Sequence, residues 1–173
     1  IFDSTRRFHG LGDRERLLLQ IAVTLHACGK FISVRNSNEC AYNIIMSTEI
    51  IGISHLEREI IANVVRYNIR DFDYNMVRME TELDEVTDSF SGQNEVMLLI
   101  AKLTAMLRLA NSMDRGHSAK LADCRMTVKD QNLIITTDYH GDITLESVSF
   151  EQKAAFFEEI FGIRPVLRHK KYV

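Results

Sequence analysis

Residues 54–65 read SHLEREIIANVV and carry the clearest helix signal in the chain. Ser54 and Glu57 have the spacing of a capping box, in which each side chain hydrogen-bonds to the backbone N–H of the other residue. The apolar residues that follow recur at helical spacing: Leu56, Ile60, Ile61, Val64 and Val65. We therefore expect an amphipathic helix that begins after Ser54 and ends near Asn68.

Helical patterns also occur on both sides of this segment. Gly12-Asp13 precedes a periodic stretch that we expect to be helical as far as Gly29, and a second helix is predicted over residues 39–47. Residues 71–93 are acidic and irregular, which predicts a weak helix followed by a loop. A continuous apolar stripe predicts a long helix over residues 94–115.

The apolar period changes near residue 120. Met126–Val128 and Leu133–Thr137 are β-branched runs separated by a polar connector, which indicates a hairpin. Ser149 and Gln152 match a second capping box, and the helix expected there would stop at Gly162 before a last strand over residues 165–168. The predicted fold is mainly α, with a helical domain over residues 1–118 and a small α+β (β-β-α-β) subdomain over residues 119–173.

Composition restricts the class of protein. The chain has 173 residues, a formal net charge of −3 and 46% hydrophobic residues, so it is long enough to bury a core, and generic adhesion to nucleic acid or to an acidic membrane is disfavoured. No uninterrupted apolar run approaches the roughly 18 residues that span a bilayer. Cys28, Cys40 and Cys124 have no paired spacing, which favours a reducing, cytoplasmic setting.

Residues 26–32, His-Ala-Cys-Gly-Lys-Phe-Ile, resemble the H-D-I-G-K-x-I signature of HD-domain phosphohydrolases. Three further strings resemble one family: residues 47–62, the triplet Val65-Arg66-Tyr67, and residues 107–117, which end in Met-Asp-Arg-Gly-His. That family is the exopolyphosphatase and guanosine-pentaphosphate phosphatase (Ppx/GppA) group. The resemblance covers essentially the whole chain and implies its C-terminal, HD-like helical region.

The resemblance also implies what the rest of such a protein supplies. In this family catalysis belongs to an N-terminal actin-like domain, for which a divalent metal such as Mg²⁺ is expected, while the helical region helps to form a homodimer and to hold polyphosphate. Residues 1–173 contain no P-loop and no Gly-rich phosphate cradle. Because the chain starts Ile-Phe-Asp-Ser, without a Met or a signal peptide, we expect it to be part of a longer protein.

The chain departs from the HD pattern at each metal-ligand position that can be placed. Ala27 stands where the tandem Asp is expected, Asn68 where the family often has His, and Asn111 where it often has Asp. Cys40 aligns with another His of the pattern. His26 alone cannot assemble a charged metal site, so we predict no metal, no cofactor and no catalysis in this chain. A simpler reading makes His26 and Asn68 hydrogen-bonded residues at the edge of the core.

Six basic residues are candidates for binding polyphosphate. Arg108 and Arg115 fall with Asn111 on one stripe of the expected long helix. The others follow the HD-like string or end the helix that carries Asn68: Lys30, Arg35, Arg66 and Arg70. Converging guanidinium groups suit phosphate oxygens. The alternative is a scatter of surface charges balanced by Asp and Glu.

The sequence thus predicts a non-catalytic region of an exopolyphosphatase-type phosphatase that contributes polyphosphate binding and dimerisation. Two alternatives stay open at this stage. The chain could be an HD-type metal-dependent phosphohydrolase acting on nucleotides, which would bind metal and turn over substrate by itself. It could also be a regulatory or scaffold domain that keeps the HD fold as a partner-binding surface and binds neither metal nor polyanion.

Overall fold

The computed structural model describes residues 1–74 and 89–170, with the side chains of the helix that begins at residue 89 described from residue 92 onward. These ranges are mainly helical and end in a small mixed sheet with one helix between two of its strands. The predicted fold class is confirmed. The α-helices are α1 (Arg6–His9), α2 (Asp13–Leu25), α3 (Ser37–Ser47), α4 (His55–Arg66), α5 (Ser89–Met113) and α6 (Thr144–Phe161).

Two compact units divide the described chain. One unit comprises Gly12–Leu107, and the other comprises Ile1–Leu11 together with Arg108–Val173. The division falls inside α5, whereas the sequence placed a boundary at residue 118. That boundary stays a prediction, because compactness and domain ancestry are different criteria.

In the unit Gly12–Leu107, α2 and α3 both pack against α4. The predicted capping box of α4 is confirmed: Ser54 Oγ accepts from the Glu57 N–H at 3.2 Å, and Glu57 Oε2 accepts from the Ser54 N–H at 2.8 Å. The core consists of apolar side chains at helical spacing, among them Leu18, Ala22, Ile45, Ile61, Val64, Ile100 and Leu103. The apolar stripes therefore form this core, as their period predicts.

The 3-10 helix Cys28–Phe31 packs closely on α3. A Cβ atom at Gly29 would lie 1.9 Å from the carbonyl oxygen of Ser37 and 2.6 Å from the backbone nitrogen of Ala41. Only glycine permits this approach, because a side chain here would collide with backbone atoms. The glycine of the HD-like string therefore sets the distance between this 3-10 helix and the first turn of α3.

In the second unit, strands β1 (Arg125–Lys129), β2 (Asn132–Thr137) and β3 (Arg164–His169) form a sheet in the order β1-β2-β3. β1 and β2 are antiparallel with Lys129 opposite Asn132, and β2 and β3 are parallel, with α6 connecting them and packing on β3. Asp130 and Gln131 adopt φ values of 49° and 59°, as a two-residue hairpin turn requires. The predicted hairpin and β-β-α-β order are confirmed.

Several predicted boundaries are wrong. α2 ends at Leu25 rather than at Gly29, and α5 begins at Ser89 rather than at residue 94. The expected start of the last helix at Ser149 is also wrong, because α6 begins at Thr144, where Asp142 Oδ1 accepts from the Thr144 N–H at 2.8 Å. Residues 71–74 form no helix, and residues 75–88, where the weak helix was predicted to continue, lie outside the described residues. The loop predicted before residue 94 is wrong, because α5 already includes residues 89–93.

Among the described residues, one helical stretch, Gly92–Met113 of α5, is long and apolar enough to cross a membrane by length and composition alone. Within its most apolar window, 61% is buried inside the protein. The core helix of a globular domain has the same length, composition and burial, so this single helix is weak support for a membrane span.

Candidate functional site

Four of the six candidate cations either contact the first turn of α3 or lie in the segment that precedes it. Lys30 follows Gly29, which packs on Ser37 and Ala41, and Arg35 comes two residues before α3 begins. Both side chains are exposed. Arg66 ends α4, Arg70 follows four residues later, and both donate hydrogen bonds to Glu39 in the first turn of α3.

We define the basic cluster as Lys30, Arg35, Arg66 and Arg70. Glu39 pairs with two of its members, Arg66 and Arg70. The Arg66 Nε and the Arg70 Nη1 both donate to Glu39 Oε1, at 2.9 Å and 2.8 Å. The Arg66 guanidinium also lies 4.9 Å from the centroid of the Tyr42 ring, within the range of a cation–π contact. Burial lowers the pKa of Arg66, but the hydrogen bond and charge of Glu39 raise it overall. Arg66 is therefore a fixed cation.

Neither Glu39 nor Tyr42 was found by sequence reasoning. The prediction that Arg70 ends the same helix as Arg66, and that this helix carries Asn68, is wrong, because α4 ends at Arg66. Glu39 lies 27 residues before Arg66 in the chain, and only the packing of α3 on α4 brings the two together.

The predicted degenerate HD site comprises His26, Ala27, Asn68 and Asn111, and its buried member is the amide of Asn68. Asn68 is 2% exposed, and among the described residues neither polar atom of its side chain has a hydrogen-bond partner. The expectation that Asn68 is hydrogen-bonded is therefore wrong for its side chain within those ranges. His26 lies after α2, and its Nδ1 is 2.6 Å from the Val23 carbonyl oxygen, as a hydrogen-bonded edge residue would be.

Within residues 1–74 and 89–170, no group of three or more His, Cys, Asp or Glu side chains is arranged to hold a metal. Ala27 supplies no ligand atom, and Asn111 lies in the second unit. Burial raises the pKa of the Cys28 thiol above its usual value, which favours the protonated, less nucleophilic form. The absence of metal and catalysis stays a prediction.

Arg108 and Arg115 differ from the other candidates in their surroundings. Arg108 is 6% exposed, and its guanidinium lies 4.6 Å from the centroid of the Phe156 ring. Arg115 is exposed but follows the end of α5 at Met113, so the prediction that it shares a helical stripe with Arg108 is wrong. Their role in polyphosphate binding stays a prediction, and burial makes Arg108 the less accessible of the two.

The fold and the basic cluster define a mainly helical domain with cations around one helix end and, among its described residues, no evident metal centre. The family model for Ppx/GppA phosphatase, domain III, matches residues 1–154. The chain therefore belongs to the Ppx/GppA phosphatase family and corresponds to its domain III. A search of curated proteins finds no match.

Proposed function

We propose that this domain binds polyphosphate through the basic cluster without hydrolysing it, and that it contributes to a homodimer of a phosphatase whose catalysis resides in an actin-like domain. The observation that carries the binding proposal is the convergence of Arg66 and Arg70 on one anionic oxygen of α3, while Lys30 and Arg35 are exposed in the segment that precedes α3. Guanidinium groups recognise phosphate oxygens with the same donor geometry that they use for carboxylates.

The replacement of a metal-ligand residue of the HD pattern also favours polyphosphate binding without a metal. Asp at position 27 would add negative charge that repels a polyanion, and this chain has Ala27 instead. The N-terminal end of α3 adds a partial positive charge beside Glu39. Binding should then depend on cations of the protein rather than on a bound metal.

The test is titration of polyphosphate into the protein with a chelator present, at low and high salt. Binding should weaken steeply with salt, because each phosphate contact releases bound counterions. Lys30→Ala/Arg35→Ala should weaken binding roughly tenfold, the scale of two charged contacts. The matched control is Arg125→Ala/Lys129→Ala, which removes two exposed cations from β1.

Other outcomes would support the alternatives. Affinity that needs added Mn²⁺, or turnover of nucleotides by this chain alone, would favour an HD-type metal phosphohydrolase. Equal losses of affinity in the two double variants would indicate that polyphosphate is attracted to the protein's positive charge in general and does not bind at the basic cluster. If the protein binds neither polyanion nor metal, the hypothesis of a regulatory or scaffold domain would be favoured.

For dimerisation we propose that a second copy covers the exposed apolar side chains of Phe31, Ile32 and Val34. These residues are 95%, 67% and 79% exposed and lie between Lys30 and Arg35. Apolar side chains exposed side by side commonly mark a contact surface. Phe31→Asp should reduce self-association in sedimentation, whereas Ile51→Asp, at an equally exposed site beyond the C-terminal end of α3, should not. A monomeric wild type at tens of micromolar, our order-of-magnitude choice, would contradict this proposal.

A further inference from the structure

The Glu39 carboxylate occupies the place in the basic cluster where an anionic oxygen of a ligand would bind. Two guanidinium groups converge on its Oε1 at 2.9 Å and 2.8 Å. The same arrangement holds a phosphoryl oxygen when arginines recognise phosphate. A ligand oxygen that binds at this point therefore competes with Glu39 for the Arg66 Nε and the Arg70 Nη1.

The contact can open, because it is partly solvated. The Glu39 side chain is 27% exposed and that of Arg70 is 49% exposed, so water can replace either partner. Arg66 is held separately by the cation–π contact with Tyr42 at 4.9 Å. If Glu39 turns away, Arg66 keeps a second contact that positions it for an incoming anion.

We propose that Glu39 is an intramolecular competitor for the anion, and that a phosphate must displace it to reach Arg66 and Arg70. This inference rests on the proposed polyphosphate binding. With Glu39 in place, the two arginines and the carboxylate carry a net charge of +1, and after displacement the arginines present +2 to the ligand. Asp71 and Asp73 follow Arg70 in the chain and add negative charge near it in both states.

Displacement imposes the same cost on every anion that uses the two arginines. Orthophosphate makes few contacts and recovers little of that cost. A polyphosphate chain also reaches Lys30 and Arg35 beside the first turn of α3 and recovers more. Glu39 thus weakens the binding of both anions by the same factor, and the polyanion, which makes more contacts, still binds.

The test is Glu39→Gln, which removes the charge and keeps an oxygen that can accept from one arginine. We expect orthophosphate and polyphosphate to bind about fivefold more tightly, the scale of one or two half-exposed ion pairs. The slope of log K against log salt for polyphosphate should stay nearly the same, because the bound polyanion contacts both arginines in either protein. The matched control is Glu158→Gln, which removes the carboxylate that pairs with Arg164 at 3.1 Å in the other unit.

Arg66→Ala/Arg70→Ala separates this inference from the proposed function. If that variant loses polyphosphate while Glu39→Gln binds as the wild type does, the competitor role is overturned and polyphosphate binding stands. Weaker binding by Glu39→Gln at unchanged thermal stability would also overturn it, since Glu39 would then position the arginines. An equal gain in Glu158→Gln would reduce it to a general charge effect. If neither the wild type nor Glu39→Gln binds either anion, both proposals fail.

Discussion

At the scale of single residues, Glu57 joins two elements through one carboxylate. It closes the capping box of α4 and accepts from Arg14 of α2, whose Nη2 lies 2.7 Å from Glu57 Oε2. The hydrogen bond from Arg14, with smaller contributions from Ser54 and from the Arg14 charge, lowers the pKa of Glu57 to about 2 although burial opposes the shift. The ionised form is therefore the one that stabilises the fold.

The first prediction concerns the pH dependence of this contact. Because the folded pKa lies below the ordinary value near 4.5, the stabilisation is present above about pH 4.5 and is lost as pH falls through about 2. Glu57→Gln should lower the free energy of unfolding by about 1 kcal/mol at pH 7, a value reduced for solvent screening. Urea denaturation from pH 7 to pH 2 should show the difference shrinking; a constant difference would contradict this account.

The second prediction concerns the buried amide of Asn68. Its two polar atoms have no hydrogen-bond partner within the described ranges, so Asn68→Leu removes a desolvated group and keeps the same branched arrangement of side-chain heavy atoms. We expect the free energy of unfolding to stay the same or to rise by about 1 kcal/mol.

Thr137→Val is the control, because we expect it to lower the free energy of unfolding. The Thr137 hydroxyl oxygen accepts from the Tyr139 N–H at 3.1 Å, so that N–H loses its partner in the variant. Stability should fall by about 1 kcal/mol. A loss of that size in Asn68→Leu, measured by the same urea denaturation, would show that the amide of Asn68 is hydrogen-bonded in solution.

At the scale of elements, two serines with the same sequence signal have different positions. Ser54 is the N-cap of α4, whereas Ser149 lies inside α6, five residues after its start at Thr144. The third prediction is that Ser54→Ala costs about 1 kcal/mol of stability, as loss of an N-cap does. Ser149→Ala should cost nothing or stabilise slightly, because alanine is the better residue in a helix interior. Equal effects in thermal denaturation would contradict the observed start of α6.

The difference between these serines shows where local patterns are sufficient. The 3.6-residue period of α2, α4 and α5 and the β-branched runs of β1 and β2 predicted the elements, because burial of one face imposes that period. The start of α6 was missed because a Ser-x-x-Gln spacing also fits a helix interior, and Asp142 satisfies the first turn instead. In the site, Arg70 lies beyond the end of α4, so its meeting with Arg66 at Glu39 depends on tertiary packing rather than on helical spacing.

At the scale of the whole molecule, the unit that contains the sheet also includes the start of the chain. The 3-10 helix Asp3–Thr5 contacts β1, and His9 Nε2 lies 2.9 Å from the Phe2 carbonyl oxygen in the same unit. No local pattern in residues 1–11 predicts this contact with β1, which lies more than a hundred residues away in the chain. Compact units assembled from distant segments are therefore the feature least accessible to a reading based on periodicity.

The last prediction follows from the contrast between the whole charge and the local charge. The chain carries 24 acidic and 21 basic residues, while the four residues of the basic cluster contact the first turn of α3 or lie in the segment that precedes it. A DNA duplex is stiff over about 50 nm, so it cannot bend around a cluster of four residues. The acidic residues on the rest of the protein surface therefore repel the duplex. At roughly 0.15 M salt, where charges interact over about 8 Å, duplex DNA at equal phosphate concentration should not displace labelled polyphosphate, whereas unlabelled polyphosphate should. Fluorescence anisotropy would measure the displacement, and equal competition by both polyanions would mean that the basic cluster attracts negative charge without selecting a ligand.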